Sequence, residues 1–224
     1  MSGAIVACGA VLFDMDGTLV DSRELVERMW LTWAAEHGLS AAAVLAVAHG
    51  RRTLETIEIV APHLATPEEA ARLDALEAQE EGNETATPGA AALLAALPVA
   101  CWAVVTSAGH ALAATRLASV GLPVPAVLVG ADDVLHGKPA PEGYLRAAAA
   151  LGVAPERCVV VEDTPAGARA GRAAGAIVVG LRTTYATVES CDYLVDDLRA
   201  LQPRFAGDGT FTGLIVPSGL ATRG

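Results

Sequence analysis

Short apolar runs alternate with longer helical stretches through the second half of the chain. The runs are typical of buried strands and lie at residues 101–105, 126–129, 158–161 and 176–179. The pattern between and around these runs predicts helices at residues 88–97, 110–120, 141–151 and 164–174. Strands that alternate with helices form βαβ units, so this half of the chain predicts a parallel sheet.

The first half of the chain has a different pattern. One apolar run, Val11 to Phe13, predicts a first strand, and Gly17 interrupts it soon afterwards. From there the spacing of apolar residues turns helical, and Ser22 is a plausible N-cap. Helices are predicted at residues 22–37, 40–48, 53–60 and 66–79. No convincing strand occurs within residues 21–87, so we predict a helical insert that interrupts the sheet domain.

The two ends of the chain carry weaker signals. Residues 193–195 predict a short strand, residues 213–216 a terminal strand or hairpin arm, and residues from Pro217 onward a loose tail. No basic segment precedes the first apolar residues, and no run of eighteen apolar residues occurs. We therefore expect a soluble, cytoplasmic protein.

Composition and charge narrow the classes of partner. The 224 residues are 53% hydrophobic and 18% charged, which is sufficient for a sizeable core in one domain with an insert. The formal net charge of −11 disfavours nucleic acids and anionic membranes as partners. An anionic substrate would therefore need a metal ion and a few well-placed basic side chains. The four cysteines form no Cys-x-x-Cys pair, and we expect buried, reduced thiols.

Acidic residues stand where two of the predicted strands end. Asp14 and Asp16 follow the first strand, and Glu162 and Asp163 follow the most apolar one. The carboxyl ends of parallel strands meet at one crevice, so these acids are expected to converge there. Buried carboxylates are costly unless they are paired or bind a metal, and oxygen ligands suit Mg²⁺. The four residues therefore predict a magnesium site, although Asp and Gly are also ordinary turn residues.

Two further motifs offer groups for a phosphate. Thr106 and Ser107 directly follow a strand, where a hydroxyl group and the free amides of a helix start can hold an anion. Lys138 lies between Gly137 and Pro139, and its ammonium group could neutralise both a phosphate oxygen and a nucleophilic carboxylate. Taken alone, the hydroxyl pair is equally typical of a helix cap, and the lysine of a solvated loop.

The helical insert contains one dense polar cluster, His49-Gly50-Arg51-Arg52-Thr53, which Glu55 follows. Two arginines beside a glycine could reach over the crevice and hold a substrate. The alternative is an exposed basic start of a helix. Because arginine at a helix N-terminus opposes the helix dipole, the functional interpretation is favoured.

Taken in order, these motifs resemble those of the haloacid dehalogenase superfamily. The string DMDGTLV at residues 14–20 resembles its first motif, and the hydroxyl pair, the Gly-Lys-Pro loop and the Glu-Asp pair follow in the expected order. The resemblance covers nearly the whole chain. It implies an α/β fold with a Rossmann-like parallel sheet core, residues 1–19 and 88–224, and an inserted α-helical cap, residues 20–87. The strings HGxRT at residues 49–53 and WAVVTS at residues 102–107 look closer to 2-deoxyglucose-6-phosphate and glycerol-phosphate phosphatases.

The resemblance also implies a function and roles for single residues. The chain would be a Mg²⁺-dependent phosphatase of small phosphorylated sugars or polyols. Asp14 would be the nucleophile, and Asp16 the general acid and then the general base. Mg²⁺ would be held by the Asp14 carboxylate, the Asp16 carbonyl and the Asp163 carboxylate, with Glu162 as an outer-sphere or further ligand. The phosphoryl oxygens would be held by Thr106, Ser107 and Lys138. The sugar or polyol part would be held by Arg52, with His49, Arg51 and Glu27 as candidates beside it.

Three other functions compete with this interpretation. A sugar phosphomutase of the β-phosphoglucomutase type shares the core motifs, but such mutases look to carry a His–Lys pair in the cap. Here the insert has no lysine, and His37, His49 and His63 do not fit that helix position. A non-catalytic phosphate-binding protein is disfavoured because every chemical residue is present, and a dehalogenase would have no use for Asp16. We expect a monomer, with a dimer as the alternative.

Overall fold

A computed structural model describes residues 3–79 and 84–217 of the chain. The strands of this part, in chain order, are β1 (Gly3–Ala7), β2 (Ala10–Phe13), β3 (Val20–Asp21), β4 (Thr85–Ala86), β5 (Trp102–Val105), β6 (Leu128–Val129), β7 (Cys158–Glu162), β8 (Ile177–Leu181), β9 (Tyr193–Val195), β10 (Gln202–Phe205) and β11 (Phe211–Pro217). The α-helices are α1 (Arg23–Glu36), α2 (Ala41–Ala48), α3 (Thr53–Val60), α4 (Pro67–Gln79), α5 (Ala90–Ala96), α6 (His110–Ser119), α7 (Glu142–Leu151) and α8 (Pro165–Ala173).

Six strands form a parallel sheet in the order β6-β5-β2-β7-β8-β9, which confirms the predicted α/β fold. The central strand β2 pairs with β5 on one side and β7 on the other, and Phe13 lies opposite both Val104 and Val161. The residues that follow these strands therefore emerge side by side. The chain runs from β2 outward to β6 on one side and later to β9 on the other, so the strand order reverses at β2. Open α/β sheets bind their ligands at such a position.

A second, three-stranded antiparallel sheet in the order β1-β11-β10 contains two strands that the sequence pattern did not predict. The arm predicted at residues 213–216 is confirmed as the middle strand β11. Strand β1 reads GAIVA, with a single buried residue, and β10 reads QPRF, with none. Neither strand has the alternation of buried and exposed residues that identifies a strand from its sequence, because both lie at the edges of their sheet.

The helices predicted for the insert are present as α1 to α4, and they share a separate apolar core. Its fully buried members include Trp33, Ile57 and Leu73. The expectation of no strand in residues 21–87 was wrong, because β4 and half of β3 lie there and the two strands pair with each other. Each is only two residues long, too short to leave a pattern in the sequence. The boundaries of the insert at residues 20 and 87 stay a prediction.

Helix α8 lies close against the parallel sheet, and the spacing of Gly167, Gly171 and Gly175 in the sequence is typical of such close packing. A Cβ atom on Gly171 would lie 2.8 Å from the Cγ1 atom of Val160 in β7. Among the described residues, no helix has the length and hydrophobicity that a membrane crossing requires. All four cysteines are free, and three of them are buried.

We expect Leu73→Ala to destabilise the protein by about 2–5 kcal/mol, because it leaves a cavity in the core of the insert. The matched control is Leu76→Ala on the same helix. Leu73 is 1% exposed, whereas Leu76 is 41% exposed, so the control should cost much less. Urea unfolding of both variants measures the difference. Equal losses of stability would show that α4 does not pack on this core in solution.

Candidate active site

Three carboxylates meet where β2 and β7 end. Asp14 directly follows β2, Glu162 is the last residue of β7, and Asp163 comes next. All three are buried, and they offer carboxylate oxygens within 4.8 Å of one another. The parallel pairing of β2 with β7 produces this arrangement, because it sets Phe13 opposite Val161 and so aligns the residues that follow. Three of the four acids that were expected to converge at the strand ends meet here, whereas the Asp16 carboxylate lies outside this cluster.

Within the described residues, one buried cation lies among these acids. The Nζ atom of Lys138 donates to Asp14 Oδ1 at 2.6 Å and to Glu162 Oε1 at 2.7 Å. Lys138 is also the only lysine in the chain. The hydroxyl group of Tyr144 on α7 donates to the same Glu162 oxygen at 3.0 Å, and Lys138 Nζ lies 5.4 Å from the centre of the tyrosine ring. Tyr144 was not assigned a role from the sequence, where it is an aromatic residue in an alanine-rich helix.

Glu162 is fully occupied by hydrogen bonds from the protein. Its Oε1 atom accepts from Lys138 and Tyr144. Its Oε2 atom accepts from the backbone N–H groups of Asp163 and Thr164 and from the Thr164 hydroxyl. A carboxylate has about four lone-pair sites, so five donors leave no site for a direct bond to an ion. This arrangement suits a residue that holds Lys138 in place.

Asp163 differs from Glu162 because one of its oxygens is free. Its Oδ1 atom accepts from the Thr18 hydroxyl at 3.0 Å. Its Oδ2 atom is buried and has no partner with hydrogen-bond geometry in the described part of the chain, although the Thr184 hydroxyl lies near the carboxylate and favours its charged form. A Cβ atom on Gly17 would overlap Oδ2, so glycine leaves room for a group at this position. A buried, unpaired carboxylate oxygen beside Asp14 fits a divalent cation with oxygen ligands.

Burial and mutual repulsion disfavour negative charge in this cluster. Burial, and then the neighbouring Glu162 carboxylate, raise the pKa of Asp14 well above its ordinary value. The same two causes raise the pKa of Asp163 to about 7. Burial alone would lower the pKa of Lys138, but the carboxylates of Asp14 and Glu162 outweigh it and raise that pKa. Lys138 therefore stays charged, and the acids around it lack a further positive charge.

Asp16 lies in a different environment, on the turn after β2. Its Oδ1 atom accepts from the Ser22 hydroxyl at 2.6 Å and from Arg116 Nη1 at 2.7 Å. Ser22 occupies the predicted N-cap position of α1, but its side chain caps no backbone N–H group there, since it binds Asp16 instead. Arg116, on α6, carried no signal in the sequence that would connect it with a residue one hundred positions earlier.

Thr106 and Ser107 lie at the end of β5, beside these acids. The Thr106 hydroxyl accepts from the backbone N–H of Ala108 at 3.1 Å. The Ser107 hydroxyl donates to the backbone oxygen of Gly50 in the insert at 3.0 Å. Ser107 thus links the sheet domain to the insert. Gly50 has φ +78°, and a Cβ atom there would lie 2.5 Å from Thr164 Oγ1, so only glycine allows this close approach.

The predicted cap residues lie over the strand ends, where they bind protein groups. Arg52 forms an ion pair with Glu55 and donates to the backbone oxygens of Val134 and Leu135, at 3.1 and 2.9 Å. Glu55 in turn accepts from the N–H of Gly137, next to Lys138, at 2.9 Å. The pair therefore connects the insert to the loop that carries Lys138, a role that the sequence did not reveal.

The other residues of the cap cluster make local contacts. Arg51 Nη1 donates to the backbone oxygen of Val47 at 2.9 Å. His49 Nε2 lies 3.5 Å from Glu27 Oε1, and burial lowers the pKa of the histidine despite this acid.

A cavity of about 720 Å³ lies between the insert and the strand ends. Its wall on the sheet side includes Asp14, Asp16, Thr106, Ser107 and Asp163, and its wall on the insert side includes His49, Arg51 and Arg52. Most of the residues predicted from the sequence to act on a substrate therefore face one space. The volume suits a small organic ligand.

The chain belongs to the haloacid dehalogenase-like hydrolases, whose family profile matches residues 8–175. Hexitol phosphatase A of Escherichia coli (strain K12) is 46% identical over 179 residues, which cover 78% of this chain and 83% of the relative. The 2-deoxyglucose-6-phosphate phosphatase 2 of Saccharomyces cerevisiae is 35% identical over 216 residues, which cover 84% of this chain and 87% of the relative. The predicted resemblance to this family and to its sugar phosphatases is confirmed.

Among solved structures, a putative beta-phosphoglucomutase from Bacteroides vulgatus superposes with a TM-score of 0.71 and 29% identity. The match covers 86% of this chain and 85% of that one. The same fold therefore occurs in proteins named as hydrolases and in one named as a mutase.

We expect Asp163→Asn to change how the stability of the metal-free protein depends on pH. Burial holds the pKa of Asp163 at about 7 in the folded chain, against 3.8 as its ordinary value. Unfolding releases this proton between the two values, so the free energy of unfolding falls as the pH rises from about 4 through about 7. The asparagine side chain of the variant cannot titrate, so the variant should lose less stability than the wild type between about pH 5 and pH 8.

Urea unfolding in EDTA measures this difference. Asp196→Asn is the charge-matched control, at a side chain that is 84% exposed and lies outside the acidic cluster. Identical pH slopes for Asp163→Asn and wild type would show that Asp163 does not carry the buried proton.

We expect Gly167→Ala to disturb the site by displacing the Glu162 side chain. A Cβ atom on Gly167 would overlap the Glu162 carboxylate, which would then have to release Lys138 and Tyr144. The cost of such overpacking is about 1–3 kcal/mol, and hydrolysis of phosphate esters should fall by about tenfold or more. Gly207→Ala is the control, because a Cβ atom there would meet no atom of residues 3–79 or 84–217 within 4 Å. Wild-type activity in Gly167→Ala would exclude a positioning role for Glu162.

Proposed function

We propose that the protein is a Mg²⁺-dependent phosphatase that hydrolyses a small phosphorylated sugar or polyol through an aspartyl-phosphate. The observation that carries the proposal is the buried cluster in which Lys138 binds Asp14 beside the unpaired Oδ2 atom of Asp163. A nucleophilic carboxylate, a fixed cation and a free oxygen ligand meet there at the wall of the cavity. Phosphoryl transfer needs such positioning and charge neutralisation more than it needs covalent chemistry from the protein.

Asp14 is the nucleophile in this proposal. Lys138 holds its Oδ1 atom at 2.6 Å, and the sheet holds its backbone, because the Asp14 N–H donates to the Val161 oxygen at 3.0 Å. The carboxylate attacks phosphorus, the bond from phosphorus to the alcohol oxygen breaks, and an aspartyl-phosphate remains. Water then cleaves this mixed anhydride and regenerates Asp14.

Asp16 moves the protons of both steps. It donates a proton to the departing alcohol oxygen and then accepts one from the attacking water. Its side chain lines the cavity, while Ser22 and Arg116 hold its Oδ1 atom. No described residue donates to its Oδ2 atom, which leaves that oxygen available to the substrate.

The metal would be held by the carboxylates of Asp14 and Asp163 and the backbone carbonyl of Asp16, and Glu162 would position Lys138 without binding the ion. When bound, Mg²⁺ supplies the positive charge that this acidic cluster lacks and stabilises the phosphoryl oxygens. Thr106, Ser107 and Lys138 would bind those oxygens as charge develops.

The cavity and the relatives support the proposed substrate class. The two relatives described above are named for hexitol and 2-deoxyglucose-6-phosphate substrates. The cavity combines polar groups from His49, Arg51 and Arg52 with apolar ones from the first helix of the insert, such as Trp30. In this proposal, residues of the insert bind the sugar or polyol part, and residues at the strand ends bind the phosphate. Glu27 orients His49, whose Nε2 atom lies 3.5 Å from Glu27 Oε1.

A sugar phosphomutase is the second candidate, because a protein named as a mutase shares the fold. The absence of any lysine other than Lys138 from the sequence disfavours a mutase that needs a cap lysine. The monomeric state and the cytoplasmic location stay predictions.

Phosphate release from a panel of hexitol, hexose, deoxyhexose and glycerol phosphates tests the proposal. We expect release with Mg²⁺, none in EDTA, and a loss of about a thousandfold or more in Asp14→Asn. Asp208→Asn, a surface turn residue, is the control and should retain full activity. Isomerised sugar phosphate without free phosphate would establish the mutase instead. Metal-independent release, or release that survives in Asp14→Asn, would contradict the mechanism.

A further inference from the structure

Arg116 is a buried arginine that binds three carboxylates from three separate segments. It lies on α6 of the sheet domain, and its side chain is only 2% exposed. Its Nη1 atom lies 2.7 Å from Asp16 Oδ1, its Nη2 atom 3.0 Å from Glu77 Oε1, and its Nε atom 2.8 Å from Glu84 Oε1. Each nitrogen of the guanidinium group therefore lies beside its own acid, with hydrogen bonds to Asp16 and Glu77 and an ion pair without hydrogen-bond geometry to Glu84.

The contact with Asp16 fixes one carboxylate oxygen and leaves the other free. Arg116 and Ser22 both donate to Oδ1, so the side chain is held from two directions. The Asp16 side chain is 29% exposed and lines the cavity. The two bonds to Oδ1 determine where Oδ2 points, and Oδ2 is the oxygen left to exchange a proton with a substrate.

The other two acids belong to the insert. Glu77 is in α4, and Glu84 precedes β4, the strand through which the chain returns to the sheet domain. Both are largely buried, at 12% and 15% exposure. A buried carboxylate that loses its cation is strongly destabilised, so α4 and the returning strand are held where Arg116 can reach them. The planar guanidinium group cannot shift toward one acid without changing its distance to the others.

We propose that Arg116 is a positioning residue that ties the orientation of Asp16 to the seating of α4 on the sheet domain. The inference rests on the proposed function, in which Asp16 protonates the departing alcohol. With α4 in place, Glu77 and Glu84 hold the guanidinium group, and the guanidinium group holds Asp16. When α4 moves away, Arg116 loses one of its anchors and Asp16 its fixed orientation.

The test compares two leaving groups in Arg116→Gln and Arg116→Lys. An alkyl alcohol needs a proton from Asp16 to depart, whereas p-nitrophenolate departs without one. The kcat/KM value reports on the steps up to departure of the alcohol. We expect Arg116→Gln to lower kcat/KM by about tenfold or more for the best alkyl phosphate of the panel, and by less than about threefold for p-nitrophenyl phosphate. Arg116→Lys keeps the positive charge but lacks the planar guanidinium group. Its kcat/KM value for the alkyl phosphate should therefore lie between those of the wild type and Arg116→Gln.

Glu77→Gln tests the link to the insert. This substitution is nearly isosteric. It should also lower kcat/KM more for the alkyl phosphate than for p-nitrophenyl phosphate, but by less than Arg116→Gln does. In the Arg116→Gln background, Glu77→Gln should add little, because both changes break the same connection. Arg204→Gln, on the distant strand β10, is the charge-matched control. If Arg116→Gln does not fold, as judged by circular dichroism, the same comparison is made with Arg116→Lys and Glu77→Gln.

Equal losses for the two esters would overturn the proposal, and so would additive effects of the two substitutions. A wild-type protein that releases phosphate from neither ester would instead refute the proposed function. The two failures are therefore distinguishable.

Discussion

One ammonium group holds together the acidic end of the central sheet. Asp14, Glu162 and Asp163 are buried within a few ångströms of one another, and Lys138 is bonded to two of them. Uncompensated charge inside a protein is costly, so the surroundings must supply every other hydrogen bond that they can. Tyr144, Thr164 and two backbone amides do so for Glu162. In this cluster, Asp163 Oδ2 still lacks a hydrogen-bond partner among the described residues, and a cation there would complete the cluster.

The insert is docked onto this cluster through backbone groups that neighbour its key residues. Ser107 donates to Gly50, and Glu55 accepts from Gly137, the residue before Lys138. Gly50 and Gly137 are also places where a Cβ atom would meet groups of the opposite part at 2.5 Å or less. These short contacts therefore fix the position of the loop that carries Lys138 relative to the polar cluster of the insert. Movement of the insert would change the surroundings of the lysine as well as access to the cavity.

Much of this fold could be predicted from the sequence, because its signals are local. Helices α3 and α4 begin and end where the apolar spacing and the start signal at Thr66-Pro67 place them. The acids at the strand ends were found because a buried strand followed by charge is unusual. Strands β1, β3, β4 and β10 depend on pairing with distant partners. The roles of Arg116, Tyr144 and Glu55 depend on contacts with residues 18 to 100 positions away.

The environments of Asp14 and Asp16 suit them to different tasks, although only one residue separates them. Asp14 is buried against a fixed cation and cannot turn far, which suits a nucleophile that must meet phosphorus from one direction. Asp16 is partly exposed and held through one oxygen, which suits a group that must meet an alcohol in one step and water in the next. The turn after β2 creates this difference. Gly17, with φ +78°, forms part of this turn directly after Asp16, and Ser22 and Arg116 hold the Asp16 carboxylate outside the cluster that the Asp14 carboxylate enters.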